Sequence, residues 1–514
     1  MIYMKTSFTT LSLWISLSLL AQVPEIEWTK NYGGSGTDYM YGSTLIQQTT
    51  DGGYVFAARS TSNDIDVSEN NGDADYWIVK LNASGEIIWQ ESLGGSGYDE
   101  PQSIRQTTDG GYIVAGFSYS NDGDVSENLG DADYWIVKLD ETGNIEWKKS
   151  YGGSGGDYAM VVQQTSDGGY IVAGNSFSSD GNITGNDGNI LSYWVTKLDE
   201  SGELEWEQFY QGEYPAYLFD FQQTSEGGYI LVGTSIYIDL FSGVAINDLW
   251  IIKTNEIGLV EWEQTIAGNG ADYADAVKQT ADGGYIISGY TWSTDIINNQ
   301  GEGDALLVKL NSAGETEWVK AYGGSFYELF TSVEQMPDGG YICLGWSDSF
   351  DGDVSQNSGL GDYWLVRVDP EGNLLWEKSF GGSQYDESHS GFSMTVGGGF
   401  LLSGASQSND GDVPGNYGDY DIWIVKLSPE TMGMAELENH TVLYPNPTTG
   451  IINLQTKEKI NSISVYNAVG QKVPFNLLNK GNTSIDLSNL PSGIYFIELN
   501  LNNKTIKKYK IIRK

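Results

Sequence analysis

A short apolar segment with the pattern Tyr-Trp-Ile-Val-Lys-Leu, first met at residues 76–81, recurs about every 58 residues along the chain. Each copy lies between glycine-rich polar stretches, and short apolar runs bounded by turn residues predict β-strands. A second marker, Asp-Gly-Gly-Tyr or a close variant, precedes each copy. The apolar segments are residues 76–81, 134–139, 193–198, 249–254, 305–310, 363–368 and 422–427, and the second marker ends at Tyr54, Tyr112, Tyr170, Tyr229, Tyr285, Tyr341 and Phe400.

One repeat, residues 102–152, contains four predicted strands, A to D, at 103–107, 112–116, 134–139 and 144–149. Tight glycine turns join A to B and C to D, whereas a long polar loop joins B to C. Repeats of about 40–60 residues with several short strands are typical of β-propellers, in which four strands form one blade. The sequence therefore predicts an all-β protein with a seven-bladed β-propeller, in which the B–C and D–A connections share one face.

The tryptophan of strand D indicates how the ring closes. The first of these residues, Trp28, precedes the first A–B–C set, and none follows the last C strand at residues 422–427. Residues 25–32 are therefore expected to pair with residues 422–427, which removes the open edges of the ring. The seven tryptophans are Trp28, Trp89, Trp147, Trp206, Trp262, Trp318 and Trp376.

Charge divides the chain in two. Its 514 residues include 69 Asp/Glu and 26 Lys/Arg, for a net charge of −43. Residues 440–514 carry a net charge of +7, so the first 439 residues carry −50. A surface this acidic repels phosphate backbones, which argues against nucleic acid as a partner, and it attracts cations. With only His389 and His440 present, a histidine-based metal centre or a Ser-His-Asp triad is not expected.

Residues 1–21 have the pattern of a secretory signal peptide. Lys5 precedes an apolar stretch at 11–20, and Ala21 provides a small-residue cleavage site. No other stretch reaches the roughly 18 apolar residues of a membrane span, so no transmembrane segment is expected. The predicted domains are a signal peptide at 1–21, the propeller at 22–428, a linker at 429–439 and a further domain at 440–514.

Past residue 428 the repeat stops, and short alternating strands predict a small, Ig-like β-sandwich. This region contains a Tyr-Pro-Asn-Pro opening at 444–447, Gly-Ile-Tyr-Phe-Ile at 493–497 and a basic end at 508–514. These segments closely resemble the C-terminal sorting domain of type IX secretion cargo in Bacteroidota. The resemblance implies contact with the type IX machinery, export across the outer membrane, removal of the tail, and release or attachment at the cell surface.

An acidic residue lies ten positions after the strand-D tryptophan in six of the seven repeats, at the head of the innermost strand, and Ala216 replaces it in repeat four. One interpretation is a ring of carboxylates at one mouth of the central channel. The other is that each carboxylate accepts N–H groups of the preceding glycine-rich turn. The six residues are Asp38, Asp99, Asp157, Asp272, Glu328 and Asp386.

The B–C loops carry a second acidic pattern, Asp-x-Asp-Val-Ser or a variant of it. Alternating carboxylate and hydroxyl oxygens are ligands that Ca²⁺ prefers, although the spacing departs from that of an EF-hand. Calcium is therefore an expected cofactor, and the alternative is a set of Asx-turns on a solvated loop. The candidate ligands are Asp64, Asp66, Asp122, Asp124, Ser126, Asp351, Asp353, Asp410 and Asp412.

Repeats four to six place aromatic residues on the same face. Flat aromatic side chains stack on sugar rings and anchor protein interfaces, so this sector is predicted to bind a glycan or a surface protein. The alternative is that these side chains pack on one another in place of missing loop contacts. The residues are Tyr214, Tyr217, Tyr237, Phe241, Trp292 and Trp346.

Together these patterns predict a secreted or surface-attached, monomeric module for binding or adhesion. A secreted carbohydrate-active enzyme, such as an endoglucanase-like hydrolase or a lyase, is one alternative, and a structural spacer is another. Catalysis is disfavoured because the acids occupy repeat-equivalent positions and no polar cluster differs from the rest. Neither the ligand nor a substrate follows from the sequence.

Overall fold

A computed structural model of the chain describes residues 21–238, 245–297, 299–432, 442–444, 448–455, 460–467, 470–480, 482–501 and 506–514. These residues form strands, turns and loops, with no helix among them. They divide into two compact units, Val23–Glu430 and Met1–Gln22 with Thr431–Lys514. Residues 1–20 of the predicted signal peptide and residues 433–439 of the predicted linker lie outside the described residues.

The described part of Val23–Glu430 contains seven antiparallel sheets, and in each of them the strands follow the order A-B-C-D. Strands B and C are almost entirely buried, whereas strand D is partly exposed. The strands of sheet 1 are Asp38–Tyr39 with Ile46–Gln48, Tyr54–Ser60, Asp75–Leu81 and Ile87–Leu93. Those of sheet 2 are Asp99–Gln106, Tyr112–Ser118, Asp133–Leu139 and Ile145–Tyr151. Those of sheet 3 are Asp157–Gln164, Tyr170–Ser176, Ser192–Leu198 and Leu204–Tyr210. In sheets 4 to 6 they are Ala216–Gln223, Tyr229–Ile238, Ala245–Thr254 and Val260–Ile266; Asp272–Gln279, Tyr285–Thr291, Asp304–Leu310 and Thr316–Tyr322; and Glu328–Gln335, Tyr341–Ser347, Asp362–Val368 and Leu374–Phe380.

Sheet 7 joins the two ends of this unit. Its strands A to C are Asp386–Glu387 with Phe392–Met394, Phe400–Ser406 and Asp421–Leu427. Its strand D is Ile26–Tyr32, which pairs antiparallel with Asp421–Leu427, so the predicted closure is confirmed. Each sheet packs against the next and the seventh packs against the first, which gives a closed ring with a β-propeller fold.

The two recurring sequence markers meet across the seams between sheets. The strand-D ring of Trp89 lies edge-on to the strand-B ring of Tyr112 in the next sheet, with centroids 5.6 Å apart. Such aromatic pairs add about 0.5–1.5 kcal/mol beyond the burial of their surface, which explains why both markers recur. Equivalent pairs are Trp28–Tyr54, Trp147–Tyr170, Trp262–Tyr285 and Trp318–Tyr341.

The buried lysine of strand C holds the A–B turn. Lys80 Nζ lies 2.9 Å from Asp51 Oδ2, and the lysine side chain is only 5% exposed. The carboxylate comes from the Asp-Gly-Gly-Tyr marker, so this marker supplies both a seam contact and a turn contact. Equivalent ion pairs are Lys138–Asp109, Lys197–Asp167, Lys309–Asp282 and Arg367–Asp338.

The C-terminal unit contains two four-stranded sheets. One is Val442–Tyr444, Ile451–Gln455, Asn482–Asp486 and Asn476–Lys480, and the other is Lys472–Val473, Ile460–Asn467, Gly493–Leu501 and Ile506–Arg513. A short pair, Ala21–Gln22 with Thr431–Met432, belongs to the same unit. Buried residues of both four-stranded sheets, among them Ile452, Ile485, Val465, Ile497 and Ile511, form one hydrophobic cluster.

The ring is expected to fold without the C-terminal unit because its hydrogen-bonded closure lies wholly within residues 23–430. A truncated chain of residues 23–430 should show one cooperative thermal transition by circular dichroism, near that of the full chain. A chain of residues 23–427 is the matched control. It lacks Glu430, whose Oε1 accepts a hydrogen bond from Trp376 Nε1 at 2.8 Å and whose Oε2 pairs with Arg367, and it should melt at a lower temperature. Aggregation or a non-cooperative transition of the 23–430 chain would contradict the prediction.

Candidate functional site

Six of the seven seams at the D–A face are built around a buried carboxylate. In sheet 2, the Asp99 carboxylate accepts the Gly95 N–H at 2.8 Å, the Ser120 hydroxyl at 2.8 Å and also the Ser118 hydroxyl. The carboxylates of Asp38, Asp157, Glu328 and Asp386 accept the N–H groups of Gly34, Gly153, Gly324 and Gly382 at 2.7–2.9 Å, and that of Asp272 accepts the hydroxyls of Thr291 and Ser293.

These six carboxylates do not form a solvent-facing ring at the channel mouth, because all six are 0% exposed. Their contacts are those of the other interpretation, in which the carboxylate binds the turn that precedes it. The physical reason is that the successive N–H groups of a glycine-rich turn need an acceptor where the chain crosses from one sheet to the next.

A second carboxylate, from the head of strand C, faces the first across a glycine. A Cβ atom on Gly94 would lie 2.3 Å from Asp75 Oδ1 and 2.6 Å from Asp99 Oδ2, so only glycine fits there. Asp75 Oδ1 is buried without a hydrogen-bond partner in the described residues. Burial, with the charge of Asp99 adding to it, raises the pKa of Asp75 to about 6. Related pairs are Asp133–Asp157, Asp248–Asp272, Asp304–Glu328, Asp362–Asp386 and Asp421–Asp38, whereas Ser192 and Ala216 occupy the corresponding positions at the remaining seam.

Three residues after the first carboxylate, the innermost strand bulges. In sheet 5 the register shifts between Ala274 and Ala276, which leaves Asp275 as the extra residue. A bulge re-aims the side chain of its unpaired residue. The extra residues of sheets 2, 3, 4 and 6 are Gln102, Met160, Phe219 and Thr331, and in sheets 1 and 7 the equivalent residues, Tyr41 and His389, lie where strand A is interrupted.

Six of these seven residues line one pocket of about 170 Å³. Because its walls come from the innermost segments of sheets 1, 3, 4, 5, 6 and 7, the pocket lies on the axis of the ring, and we call it the axial pocket. Tyr290, Tyr327 and Trp346 complete its aromatic wall. The residues from the innermost segments are Tyr41, Met160, Phe219, Asp275, Thr331 and His389.

The aromatic wall is continuous. The Tyr327 ring lies 5.6 Å from that of Tyr290 and 5.4 Å from that of Trp346, centroid to centroid. The His389 ring then lies 6.0 Å from Trp346 and 5.4 Å from Tyr41. Five rings from four different sheets therefore form an arc around the pocket.

Asp275 is the acidic group of the axial pocket. Its carboxylate makes no hydrogen bond or ion pair with the described residues, and burial alone raises its pKa to about 7. Burial also raises the pKa of Tyr290 and Tyr327, and the charge of Asp275 raises both of them further. These effects place the carboxylate beside the aromatic arc.

His389 belongs to a small polar group. Its Nε2 lies 3.7 Å from Glu387 Oε2, and Tyr39 donates a hydrogen bond to the same oxygen at 2.6 Å. Burial acts to raise the pKa of Glu387, but hydrogen bonds from His389 and Tyr39 outweigh it and keep that pKa below its usual value. Glu387 thus orients the imidazole at the pocket wall.

The structure separates the aromatic residues singled out in the sequence. Trp346 lines the axial pocket, and Trp292, which is 38% exposed, stacks on Tyr327 with centroids 5.6 Å apart. Tyr214 and Tyr237 instead meet edge-on at 5.1 Å and line a separate groove in sheet 4. Tyr217 is exposed on the innermost strand of sheet 4, and Phe241 lies outside the described residues.

The first aspartates of the Asp-x-Asp loops bind backbone rather than gathering around one point. Asp122 Oδ1 accepts the Ser96 N–H at 2.6 Å, and Asp64, Asp351 and Asp410 accept the equivalent serine N–H groups at 2.7 Å. Asp66 and Asp353 reach the N–H groups of Gly33 and Gly323, and Asp124 pairs with Lys148. Among the described residues no three His, Cys, Asp or Glu side chains come together in the manner of a metal centre. Calcium binding by Asp64, Asp66, Asp122, Asp124, Ser126, Asp351, Asp353, Asp410 and Asp412 stays a prediction.

Comparison with known proteins identifies the C-terminal unit. Residues 442–514 match the profile of the secretion system C-terminal sorting domain. The chain carries a type IX sorting domain. The resemblance seen in the sequence is thereby confirmed, and the protein is a type IX cargo that is exported and is either secreted or attached at the outer-membrane surface. Within the described residues, no helix has the length and apolar character needed to cross a membrane.

Solved structures resemble the ring of this type IX cargo only distantly. A protein of unknown function from Dyadobacter fermentans is 12% identical, with a TM-score of 0.40 over 79% of this chain and 99% of that one. An ulvan lyase of polysaccharide lyase family PL25 is 10% identical, with a TM-score of 0.46 over 80% and 99%. A DUF4221 member from Bacteroides vulgatus is 8% identical, with a TM-score of 0.36 over 80% and 99%. Likenesses of this strength assign no ligand and no reaction, and no curated protein matches the chain at a significant level.

Repeating positions in the sequence do not reveal the axial pocket, because its residues lie at positions that differ between repeats. The residue three after the strand-A acid differs in every repeat, although the turn and strand markers on either side of it recur. The sixth residue of strand B varies in the same way and supplies Tyr290 and Trp346. Variation inside a regular repeat is the signal that identifies both positions. The strand-A position holds Tyr41, Gln102, Met160, Phe219, Asp275, Thr331 and His389. The strand-B position holds Arg59, Phe117, Asn175, Thr234, Tyr290, Trp346 and Ala405.

The carboxylate pairs predict an unusual pH dependence of stability. The strand-C members of these pairs have pKa values of about 6 to 7 in the folded protein, as for Asp75 and Asp421, which lie above the ordinary value near 3.8. The native state therefore binds more protons than the unfolded state between about pH 4 and 7, and the free energy of unfolding falls as pH rises through this window. Thermal melting at pH 5 and pH 8 should show the lower midpoint at pH 8.

Asp421→Asn tests the origin of this effect. The variant should melt above the wild type at pH 8 and lose that advantage at pH 5, because it removes one of two facing charges. Ser192→Asn is the matched control at the seam without a pair, and its effect should be the same at both pH values. Equal midpoints of wild type at pH 5 and pH 8 would contradict the proposed cause.

Calcium binding is tested by melting the protein in EDTA and in millimolar Ca²⁺. If the ion binds only the native state, free Ca²⁺ at 100 times Kd adds about 2.7 kcal/mol per independent site to the free energy of unfolding. Asp124→Asn with Asp353→Asn should reduce the shift in midpoint if these loops hold the ion. Identical midpoints in EDTA and Ca²⁺ would favour the purely structural role of the loop carboxylates.

Proposed function

We propose that this protein is a surface-displayed binding module, a monomeric seven-bladed β-propeller that takes a carbohydrate at the axial pocket. Each sheet described above is one blade in this proposal, and the C-terminal unit is an Ig-like sandwich that delivers the propeller. In this proposal the domains keep the boundaries expected from the sequence, with residues 22–428 as the binding unit.

One observation carries the proposal. Seven repeats that share their strand and turn markers place chemically different side chains at the bulge position, and six of those side chains line the axial pocket. A repeat used only as a spacer has no need for Tyr, Met, Phe, Asp, Thr and His at equivalent positions. A concave site with an aromatic wall and a few polar groups is the usual form of a small-molecule binding site.

Carbohydrate is favoured by the rim of the axial pocket. Trp292 exposes part of its ring beside Tyr327, and Tyr41 is 46% exposed on the other side of the pocket. Exposed aromatic faces stack on the apolar faces of sugar rings, while Asp275, Thr331 and the phenol groups offer partners for hydroxyl groups. A pocket of about 170 Å³ takes one group of a ligand, and the rest lies across the rim.

A glycan array probed with the full secreted protein, followed by isothermal titration calorimetry, tests the proposal. Trp292→Ala should weaken binding by about 1–3 kcal/mol if this ring is an anchor. Tyr237→Ala, in the groove of sheet 4, is the matched aromatic control and should leave the affinity unchanged. A loss confined to Tyr237→Ala would move the site to the sheet 4 groove, and an array without hits would oppose carbohydrate binding.

A second candidate is a carbohydrate-active enzyme, favoured by the proton-transfer groups in the axial pocket. A carboxyl group with a pKa of about 7 is suited to general acid–base chemistry near neutral pH, and the imidazole of His389 lies in the same wall. Incubation of each array ligand with the protein, with detection of new reducing ends, tests for cleavage. Asp275→Asn should abolish any cleavage that depends on this group, and cleavage that persists in this variant would exclude it.

A further inference from the structure

The charges along the central channel balance except at Asp275. Below the bulge position, the innermost strands carry Arg105, Lys278, Asp220 and Glu334. Lys278 Nζ lies 3.0 Å from Glu334 Oε1, and burial lowers the pKa of Arg105 while the charges of Asp220 and Glu334 oppose that shift. These two cations and two anions compensate one another. Glu100 accepts a hydrogen bond from Tyr98 and lies near Arg59, whereas Asp275 has no such partner among the described residues.

Among the described residues, no lysine or arginine side chain lies close enough to Asp275 to neutralise its charge. No lysine or arginine lines the axial pocket, and neither Arg105 nor Lys278 contributes to the environment of this carboxylate. His389 lies in the same wall, but its Nε2 is directed to Glu387 at 3.7 Å. A buried carboxylate without a partner is costly to ionise, and a cation that enters the pocket removes that cost.

The aromatic arc suits the same ligand. Tyr41, Tyr290, Tyr327 and Trp346 surround the pocket, and ring faces attract cations that lie within about 6 Å of the ring centroid. An organic ammonium group satisfies both features, because its charge pairs with Asp275 while its C–H groups contact the rings. A net charge of −50 over the first 439 residues also draws cations toward the ring.

We infer that the axial pocket binds an organic ammonium group, and that the carbohydrate recognised by this protein carries a free amine, as glucosamine residues do. This inference rests on the proposed function and specifies its ligand. N-acetylation removes the charge, so an acetylated sugar leaves Asp275 without a cationic partner. A neutral sugar contacts the rim but leaves Asp275 unmatched.

Calorimetry with three trisaccharides of equal length tests the inference on the full protein at pH 7.5. The probes are the trimer of glucosamine, the trimer of N-acetylglucosamine and cellotriose. The glucosamine trimer should bind at least tenfold more tightly than the other two, and added NaCl should weaken its binding selectively. Tetramethylammonium chloride should compete with it, because this ion carries the recognised group without the sugar.

Two variants test whether Asp275 causes the preference for the glucosamine trimer. Asp275→Asn should remove the advantage of the glucosamine trimer while keeping the weak binding of cellotriose, and its thermal midpoint reports whether the ring is intact. Tyr327→Phe keeps the ring face and should preserve the advantage. Should Asp275→Asn fail to fold, the competition by tetramethylammonium and its loss in Trp346→Leu provide the same test.

The outcomes separate this inference from the proposed function. Equal affinity for all three trimers would overturn the ammonium preference and leave carbohydrate binding standing. Binding of tetramethylammonium that depends on Asp275, without binding of any trimer, would support the cation site and overturn carbohydrate as its source. Competition by Ca²⁺ but not by tetramethylammonium would show an inorganic cation site and overturn the inference. Absence of binding by every probe would overturn both.

Discussion

The buried carboxylate at the head of the innermost strand, present in six of the seven sheets, is the contact around which the seams of the ring are built. It binds the glycine-rich turn that carries the chain from one sheet to the next, and it fixes the point at which strand A begins. In sheet 2, Asp99 performs this role through Gly95, Ser118 and Ser120. Three residues later the strand bulges. Sheet 4 bulges at the equivalent Phe219 although Ala216 replaces the acid, so the bulge does not depend on this contact.

Concentrating carboxylates at the seams has an energetic cost that the repeat tolerates. Asp75 and Asp99 face each other across Gly94, and Asp75 keeps an oxygen without a hydrogen bond in the described residues. The sheet 4 seam shows that the ring does not require the pair, because Ser192 and Ala216 are both uncharged there. The two members change together, which fits two groups that share one small space.

The architecture of the ring followed from the sequence, whereas the pocket did not. Trp28 and the Asp-Gly-Gly-Tyr turns repeat with a fixed period, and their partners are repeats of the same kind, so counting was sufficient to predict the pairing of residues 25–32. The role of Asp99 was ambiguous because the same spacing fits a channel mouth and a turn contact, and only burial distinguishes them. The sequence did not predict Asp275 and His389 as pocket residues. Strict alternation along a strand implies which side of the sheet each side chain faces, and a bulge changes that side. No pattern of hydrophobicity reports such a reversal.

The bulge also makes the identity of the channel-facing side chain independent of the hydrogen-bonded register of the strand, two properties that are usually coupled in a protein. The side chain at the bulge takes no part in the strand register, so replacing it alters the channel without disturbing the hydrogen bonds of the sheet. Each repeat thus places one variable side chain at the central channel, on a sheet whose strand pairing is the same in every repeat. New channel linings are accessible through a few point substitutions at these seven sites, and the chemistry of the channel is therefore modular while its frame is constant.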